Sequence, residues 1–400
     1  MQRQWKSLQK TVGMLLLIGT VPAWGAANLQ HLLEEADPTH AAQGWIQLFD
    51  HWTRFGWTGP GLQDWQIQDR ELVCTGLEHP SWIRTTTEFA QFELVVEFQK
   101  TGAGRAYIGI RTEEKLQGPS SPGYWIPIAD TDPEWPTGSI RPTARAAGLV
   151  RTEGKWSTLR IRADETFIRV WCNGKAVCES RTSRFRRGFI ALGFEPGNAQ
   201  ARFAVRTVEL RPLGMTSLFN GKDLTGWKPV PGRPAVYFVN SQGWLCVTNG
   251  PGDLQTTKTF KDFVLQLQIR VNGTHLNSGV FFRAIPGRFW AGYESQIRNQ
   301  WRDQDRTRPV DYGTGGIYNR QPARIVLSSD REWFTKTIVM HGRHIAVWVN
   351  GIQVSDWTDP RPPNPNPRRG YRALPGVISL QGHDPTTNLC FRNIRIAELR

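Results

Sequence analysis

The most constraining feature of this 400-residue sequence is a long internal repeat. The segment that follows Trp156 and the segment that follows Trp333, 177 positions later, are both strand-like and lead to an Asn-Gly pair, at 173–174 and 350–351. A repeat of this length is too long for a solenoid unit and long enough to bury a core of its own. The sequence therefore predicts two globular domains of one fold, and each copy serves as a control for the other.

Strand patterns occur throughout both copies, whereas helical patterns are scarce. Segments such as 92–98 and 263–269 are rich in β-branched and aromatic residues, and several segments alternate apolar with polar side chains, as half-buried strands do. An Asn-Gly pair between two such segments is a strong hairpin signal. Together with the abundant Gly and Pro, these patterns predict an all-β chain of two tandem β-sandwiches of the jelly-roll type.

Composition divides the chain into four parts. Residues 1–26 have the layout of a secretory signal peptide, with two lysines, an apolar stretch and small residues at the end. We therefore expect an exported protein, with no transmembrane segment once the signal is removed, because the apolar stretch is too short to span a bilayer. Residues 27–43 are predicted to be a linker or short helix, 44–213 a degenerate first domain, and 214–400 the second domain.

The formal net charge of +14 is unevenly distributed along the chain. Residues 27–213 hold 22 basic and 22 acidic side chains, whereas residues 214–400 hold 24 basic and 13 acidic ones. A basic domain can indicate nucleic-acid binding, but the expected export and the scattered arginines argue against it. We predict no nucleic-acid partner; the excess is typical of a solvated surface or of a site for an acidic or polar substrate.

Five cysteines leave at least one thiol unpaired. Cys74 and Cys246 occupy equivalent positions in the two copies and are predicted to be small buried hydrophobes. Cys172 and Cys178 flank a hairpin turn and are expected on opposite faces, where no bond can form. The sequence therefore predicts no particular disulfide.

Changes in the repeat offset locate two insertions in the second copy. About eight extra residues lie between Asn299 and Gly313, and about eleven lie in the Pro-rich stretch 359–370. Long loops on a β-sandwich often build a functional site. A Pro-rich stretch is equally typical of a stiff surface loop without a ligand.

Several polar residues occur only in the second copy. Because alternate residues of a strand point to one face, Asn277 and Arg283 are predicted to share a face. For the same reason, Glu294 is predicted to share a face with Gln296, and Gln381 with His383. Six polar side chains would then form one patch on a sheet. The replacements, with the first copy named first, are Arg105 and Asn277, Trp125 and Glu294, Pro127 and Gln296, Gly193 and Gln381, and Glu195 and His383. Arginine stands in both copies, as Arg111 and Arg283.

The second copy resembles the 3-keto-disaccharide hydrolase family over about 185 residues in order, and the first copy resembles it only in scaffold. The segments that carry the resemblance are Leu218-Phe-Asn-Gly-Lys-Asp-Leu-Thr-Gly-Trp227, Asn277-Ser-Gly-Val-Phe-Phe-Arg283, Gly292-Tyr-Glu-Ser-Gln-Ile297, Thr314-Gly-Gly-Ile-Tyr318, 333–351, Leu380-Gln-Gly-His383 and Phe391-Arg-Asn-Ile-Arg-Ile396. The resemblance implies concanavalin A-like jelly rolls in a sugar-related hydrolase, and a periplasmic or secreted location in a bacterium. Asn299 departs from the family, in which many relatives carry an acidic residue.

The resemblance implies cleavage of 3-keto-disaccharides or 3-keto-glycosides. A ketone at C3 acidifies the hydrogen on C2, so that a base can remove it, the enolate can expel the C1 substituent, and water can then add. Such a route needs one base and a group that stabilises the oxyanion, not the two flanking carboxylates of ordinary glycosidases. We predict Glu294 or His383 as the base and Arg283 as the stabilising group. A divalent metal could assist or replace Arg283, and no other cofactor is predicted.

The remaining predicted residues would bind a carbohydrate substrate. Asn277, Gln296 and Gln381 would hold sugar hydroxyl groups, and Tyr318 and Trp301 would stack on sugar rings. The alternative is a non-catalytic carbohydrate-binding protein with the same sandwiches, in which Trp290, Trp301 or Tyr318 stacks on sugar rings and no bond is broken. A third possibility is an exported structural protein whose domains only hold partners.

Overall fold

Two short helices open the part of the chain that the structure, a computed structural model, describes, namely residues 29–399. The predicted signal peptide, residues 1–26, lies outside the described residues. The helices are α1 (Leu32–Glu35) and α2 (Pro38–Ala42). Asp37 caps α2 by accepting hydrogen bonds from the backbone N–H groups of Thr39 and His40. Between residues 29 and 399, no helix is long and apolar enough to cross a membrane.

The first half of the chain forms a two-sheet sandwich with one 3₁₀ turn at Leu62–Asp64. Its strands are β1 (Ile46–Gln47), β2 (Trp57–Thr58), β3 (Trp65–Gln68), β4 (Glu71–Thr75), β5 (Ser81–Phe89), β6 (Phe92–Thr101), β7 (Gly104–Thr112), β8 (Tyr124–Ile128), β9 (Ser157–Ala163), β10 (Phe167–Cys172), β11 (Lys175–Arg181), β12 (Gly188–Pro196) and β13 (Arg202–Pro212).

The second half forms another sandwich and one additional hairpin, β22–β23. Its strands are β14 (Thr216–Ser217), β15 (Trp227–Pro229), β16 (Val236–Val239), β17 (Leu245–Thr248), β18 (Gly252–Thr256), β19 (Phe263–Val271), β20 (Ser278–Ala284), β21 (Tyr293–Ile297), β22 (Trp301–Arg302), β23 (Asp305–Pro309), β24 (Trp333–His341), β25 (His344–Val349), β26 (Ile352–Thr358), β27 (Val377–Gly382) and β28 (Asn388–Glu398).

The two sandwiches match strand for strand. The large sheet of the first has the order β11-β10-β9-β6-β13-β4-β3, and that of the second has the order β26-β25-β24-β19-β28-β17-β16. The small sheets are β2-β5-β12-β7-β8 and β15-β18-β27-β20-β21. The named strands pair antiparallel throughout. This topology confirms the predicted pair of tandem jelly-roll sandwiches and the duplication behind them.

The large sheet of the second sandwich is covered on both faces. Strand β9 of the first sandwich alternates between buried and more exposed residues, whereas the equivalent β24 is buried from Phe334 to Met340 and every residue of β25 is buried. One face holds the second core. The other packs into the first sandwich, where Trp348 donates from its indole Nε1 to the Gln47 carbonyl at 2.9 Å and Arg324 pairs with Asp50 at 2.7 Å. The first domain therefore covers the outer face of the large sheet of the second domain.

One prediction about the cysteines is wrong. Cys246 is not a free thiol, because it lies directly opposite Cys390 in the β17–β28 pair and is bonded to it. The equivalent Cys74 lies opposite Phe203 and stays free, as do the buried Cys172 and Cys178. Cross-strand register, which the repeat does not show, decides which cysteine finds a partner.

Candidate active site

A cavity of about 260 Å³ opens on the outer face of the small sheet of the second sandwich. That face is turned away from the first domain, which covers the large sheet. The residues that line the cavity all belong to the second half of the chain. They are Pro251, Asn277, Phe289, Trp290, Glu294, Gln296, Asp311, Tyr318, Gln381 and His383.

The structure brings six of the eight predicted site residues to this pocket. They are Glu294, His383, Asn277, Gln296, Gln381 and Tyr318. Strand alternation explains the grouping, because Glu294 and Gln296 point from β21 to the outer face while Tyr293 and Ile297 join the inner core.

Gly279 makes room for the carboxyl group at the centre of the site. It lies opposite Gln296 in the β20–β21 pair, and a Cβ placed on it would lie 2.5 Å from Oε1 of Glu294. No real Cβ tolerates that distance. The glycine therefore leaves open the space that the Glu294 carboxyl group occupies.

Glu294 is a buried carboxylate held by one arginine. Its side chain is 3 % exposed, and its Oε2 accepts a hydrogen bond of 2.7 Å from Nη2 of Arg368. Burial raises the pKa of Glu294, while Arg368 and then His383 oppose the rise. No hydrogen bond reaches Oε1 from residues 29–399. One carboxylate oxygen is thus anchored and the other is available to a ligand.

Arg368 comes from the Pro-rich loop, residues 359–370, which the repeat offset identifies as an insertion. Its guanidinium lies over the rings of Trp290, Phe281 and Tyr318, at 4.1, 5.1 and 5.3 Å from their centroids. Such stacking fixes a planar cation in one orientation. The loop therefore supplies the cation of the site.

The other insertion supplies Asp311. Its Oδ2 accepts hydrogen bonds of 2.8 Å from Nδ2 of Asn277 and from Nε2 of Gln296. The amide oxygens of these two residues, Oδ1 and Oε1, are buried and have no partner within the described chain. Asp311 therefore orients two side-chain amides so that their acceptors remain unused.

His383 stands at the mouth of the pocket and forms a pair with Asp384. Its Nδ1 lies 2.7 Å from Oδ2 of Asp384, and its side chain is 40 % exposed. Burial works to raise the pKa of Asp384, but hydrogen bonds from Thr386 and His383 outweigh it and hold that pKa below its usual range. An aspartate on Nδ1 leaves Nε2 as the reactive nitrogen.

A second buried carboxylate, Asp253, lies beside the site. It faces Gln381 across the β18–β27 pair, and its Oδ2 accepts a 2.7 Å hydrogen bond from the backbone N–H of Trp290. Burial, and then the charge of Glu294, raise its pKa to about 7. Its counterpart in the first copy is Trp82, which faces Gly193 in the same way. The comparison of copies could have revealed this exchange.

A buried lysine lies beneath β21, the strand that carries Glu294 and Gln296. Lys336, fully buried on β24, donates from Nζ to the Gln296 carbonyl at 2.7 Å and to the Ser295 carbonyl at 3.3 Å. Burial lowers its pKa to about 7, although Glu294 opposes the fall. Lys336 therefore supports the backbone of the site strand and does not line the pocket.

The prediction that Arg283 belongs to the site is wrong, because its side chain does not line the pocket. Its guanidinium is fully buried and donates to Asp262 and to the backbone carbonyls of Lys261, Gly342 and Arg372. A bulge in β20 with a φ of 43° at Arg283 breaks the strand alternation and turns the side chain away from the face that carries Asn277.

The arginine of the first copy explains why this residue is retained. Arg111 has a φ of 51° and donates to the backbone carbonyls of Ala90, Phe185 and Asp164. Both arginines therefore tie loops together in their sandwiches. Retention in both copies marks a role in the fold.

Trp301 also lies outside the pocket. It belongs to the hairpin β22–β23, where the guanidinium of Arg306 covers its ring at 4.0 Å from the centroid. The exposed aromatic group at the pocket is instead Trp290, whose ring packs edge-on against Tyr318 at 6.4 Å.

The space that corresponds to Glu294 and its surroundings is filled in the first sandwich. Tyr107 stands in place of Gly279 and Trp125 in place of Glu294, and both pack against Trp82 at centroid distances of 5.7 and 5.5 Å. Three aromatic rings therefore occupy the space that the second copy leaves open.

The set of side chains indicates what the pocket can do. It offers one buried carboxylate, one histidine, amide groups and aromatic rings, which suits proton transfer and the binding of hydroxyl groups. Among residues 29–399, no three His, Cys, Asp or Glu side chains are arranged to hold a metal ion. The predicted assistance by a divalent cation stays a prediction.

Solved structures with similar folds each cover about one sandwich. A protein from Parabacteroides distasonis ATCC 8503, provisionally assigned as a glycosyl hydrolase, is 21 % identical over 47 % of this chain and 94 % of its own, with a TM-score of 0.38. A second such protein from that organism is 24 % identical over 46 % and 98 %, with a TM-score of 0.37. The carbohydrate-binding module CBM66 from Bacillus subtilis is 14 % identical over 39 % and 95 %, with a TM-score of 0.30.

Similarities of this size concern the fold alone. No curated protein matches the chain in sequence. A family model does match, and it matches twice, over residues 44–211 and 214–397, in agreement with two tandem copies. The chain therefore belongs to the family of 3-keto-alpha-glucoside-1,2-lyase-like domains.

Proposed function

We propose that this protein cleaves 3-keto-glycosides, including 3-keto-disaccharides, by elimination across C1 and C2 followed by addition of water. The observation that carries the proposal is the buried Glu294 carboxylate, with one oxygen held by Arg368 and the other free within a pocket of about 260 Å³. A cavity of this size suits one sugar ring. The family description, a 1,2-lyase-like domain, supports elimination.

Glu294 takes the C2 proton in this proposal. Its raised pKa makes it a stronger base than an exposed glutamate. The electrons of the C2–H bond form the enolate, whose charge develops on the oxygen at C3. The enolate then re-forms the ketone and the C1–C2 double bond, and the bond from C1 to the leaving oxygen breaks. Water later adds its oxygen to C1 and a proton returns to C2.

The neighbouring groups take the remaining roles. His383, held at Nδ1 by Asp384, donates a proton from Nε2 to the leaving oxygen. Two groups stabilise the enolate. They are the guanidinium of Arg368, whose Nη2 holds Glu294, and the amide N–H groups of Gln381, whose Oε1 is buried without a partner within the described chain. Arg368 thus takes the role that the sequence suggested for Arg283. The unused amide oxygens of Asn277 and Gln296 accept hydrogen bonds from sugar hydroxyl groups.

Incubation of the full chain with 3-keto-trehalose or 3-keto-lactose tests the proposal. We expect free glucose from either substrate, with solvent deuterium at C2 of the keto sugar. Glu294→Gln should reduce turnover by about 10² to 10⁴-fold, and His383→Ala should reduce it as well. Trp301→Ala, outside the pocket, is the matched control. Full turnover in both site variants would show that the site is misassigned.

The alternative is a carbohydrate-binding protein that breaks no bond. The exposed ring of Trp290 at the pocket favours sugar stacking. Binding of the keto sugar without release of a product would support this alternative against the enzyme.

We further propose that the protein acts in the periplasm or outside the cell. The disulfide between Cys246 and Cys390 supports this location, because such bonds persist in oxidising compartments. Cell fractionation of the native host, with the protein detected in the cytoplasm alone, would contradict the proposal.

A further inference from the structure

A second cavity, of about 400 Å³, is formed where the Pro-rich loop meets the segment after β20. Its lining contains three arginines and no acidic residue. We call it the arginine cavity. It is lined by Ile285, Arg288, Asn364, Pro365, Asn366, Arg369 and Arg372.

The acidic side chains around the arginine cavity are already paired with other cations. Three carboxylates of the region bond arginines outside the cavity, and one of these, Asp262, also lies 3.7 Å from Nη1 of Arg187. The three arginines of the cavity form no ion pair within residues 29–399. The cavity therefore carries uncompensated positive charge. The existing pairs are Asp262 with Arg283, Glu294 with Arg368, and Asp359 with Arg361.

Arg372 is a fixed part of the wall. It is 7 % exposed, and its two terminal nitrogens donate to the carbonyls of Pro365 at 2.6 Å and of Pro375 at 2.9 Å. Its Nε is buried without a partner. Burial, and then the nearby Arg283, lower its pKa. A buried cation without a counter-ion is costly, so an anion that enters the cavity would be favoured.

The other two arginines are exposed and free to close on a ligand. Arg288 immediately precedes Phe289 and Trp290, which line the candidate active site, and Arg369 immediately follows Arg368, which bonds Glu294. Consecutive residues of two segments, 288–290 and 368–369, therefore contribute to the arginine cavity and to the surroundings of Glu294.

We propose that the arginine cavity binds an anionic group, a carboxylate, sulfate or phosphate, of the carbohydrate that occupies the active-site pocket. Arginine suits this task because its planar guanidinium matches such oxyanions with paired hydrogen bonds. The inference rests on the proposed function in one respect, that the pocket holds a sugar. It predicts a preference for acidic over neutral glycosides, in agreement with the basic excess of the second domain.

Binding measurements on the full chain test the inference without any need for turnover. The probes are glucose, glucuronate, glucose 6-phosphate and inorganic sulfate, titrated by calorimetry at low and at high salt. At least one acidic sugar should bind about tenfold more tightly than glucose. Arg288→Gln with Arg369→Gln should remove that advantage and leave glucose binding unchanged. Arg302→Gln, an exposed arginine outside the cavity, is the matched control. High salt should weaken the advantage.

Each other result has a distinct meaning. Equal binding of glucose and the acidic sugars would overturn the inference and leave the sugar pocket intact. Arginine-dependent binding of sulfate without any preference for acidic sugars would overturn it in favour of a free-anion site. If none of the sugars binds, the proposed function fails together with the inference, and sulfate binding then reports on the cavity alone.

Discussion

Replacing Arg368 with methionine should destabilise the protein in a pH-dependent manner. Methionine keeps an apolar contact over Trp290 but removes the cation that holds the buried Glu294. Loss of one partner of a buried pair costs about 3 to 5 kcal/mol, and we take about 3 because Arg368 is partly exposed. For a domain of this size, that corresponds to a fall in Tm of about 6 to 12 °C.

The sign of the pH dependence follows from the pKa of Glu294. Burial already raises this pKa, and loss of Arg368, the largest opposing influence, raises it further. The ionised carboxylate is costly above that pKa, so the loss in Tm should be full at pH 8 and smaller at pH 5, where protonation relieves it.

Thermal unfolding of four proteins at both pH values provides the measurement. They are the parent, Arg368→Met, Glu294→Gln and the double variant, in which the loss should shrink because no charge remains buried. Arg308→Met, which breaks an exposed pair with Asp303, should change Tm little. An equal loss at pH 5 and pH 8, or a double variant as unstable as the sum of its parts, would refute this reasoning.

Three further substitutions have expected outcomes. Gly279→Ala should reduce turnover of the keto sugar more than tenfold by displacing Glu294, and unchanged kinetics would show that the carboxylate can move freely. Arg283→Met should lower Tm by several degrees through its four lost hydrogen bonds, and a loss of turnover at unchanged Tm would instead restore it to the site. Replacing both Cys246 and Cys390 with alanine should cost about 2 to 4 kcal/mol in the free energy of unfolding, measured with urea; no loss would mean that the bond contributes nothing.

The repeat predicted the sandwiches and most of the pocket because it separates residues that both copies retain for the fold from residues that differ between the copies. Side chains that differ between copies, such as Glu294 and Gln381, lie in the pocket, and alternation along regular strands groups them correctly. The same alternation predicted the wrong face for Arg283. The left-handed backbone conformation of this residue interrupts the alternation of side chains along the strand. No feature of the sequence marked that bulge.

The insertions show a different limit. The offset located both of them, yet inserted residues have no counterpart with which to be compared, so Asp311 and Arg368 could not be identified. Their roles depend on where the loops fold back over the sheet. Trp301 was chosen for its residue type alone, and packing beneath Arg306 removes it from the pocket.

The first domain covers one face of the large sheet of the second sandwich, and the two copies can therefore no longer be separated. Val264, Val339, Ala346 and Trp348 now pack as part of the first domain's core. Deleting the first copy would expose these four side chains as one apolar surface, so residues 214–400 alone should aggregate. The first domain is therefore needed for the solubility of the second, a role that requires no pocket of its own.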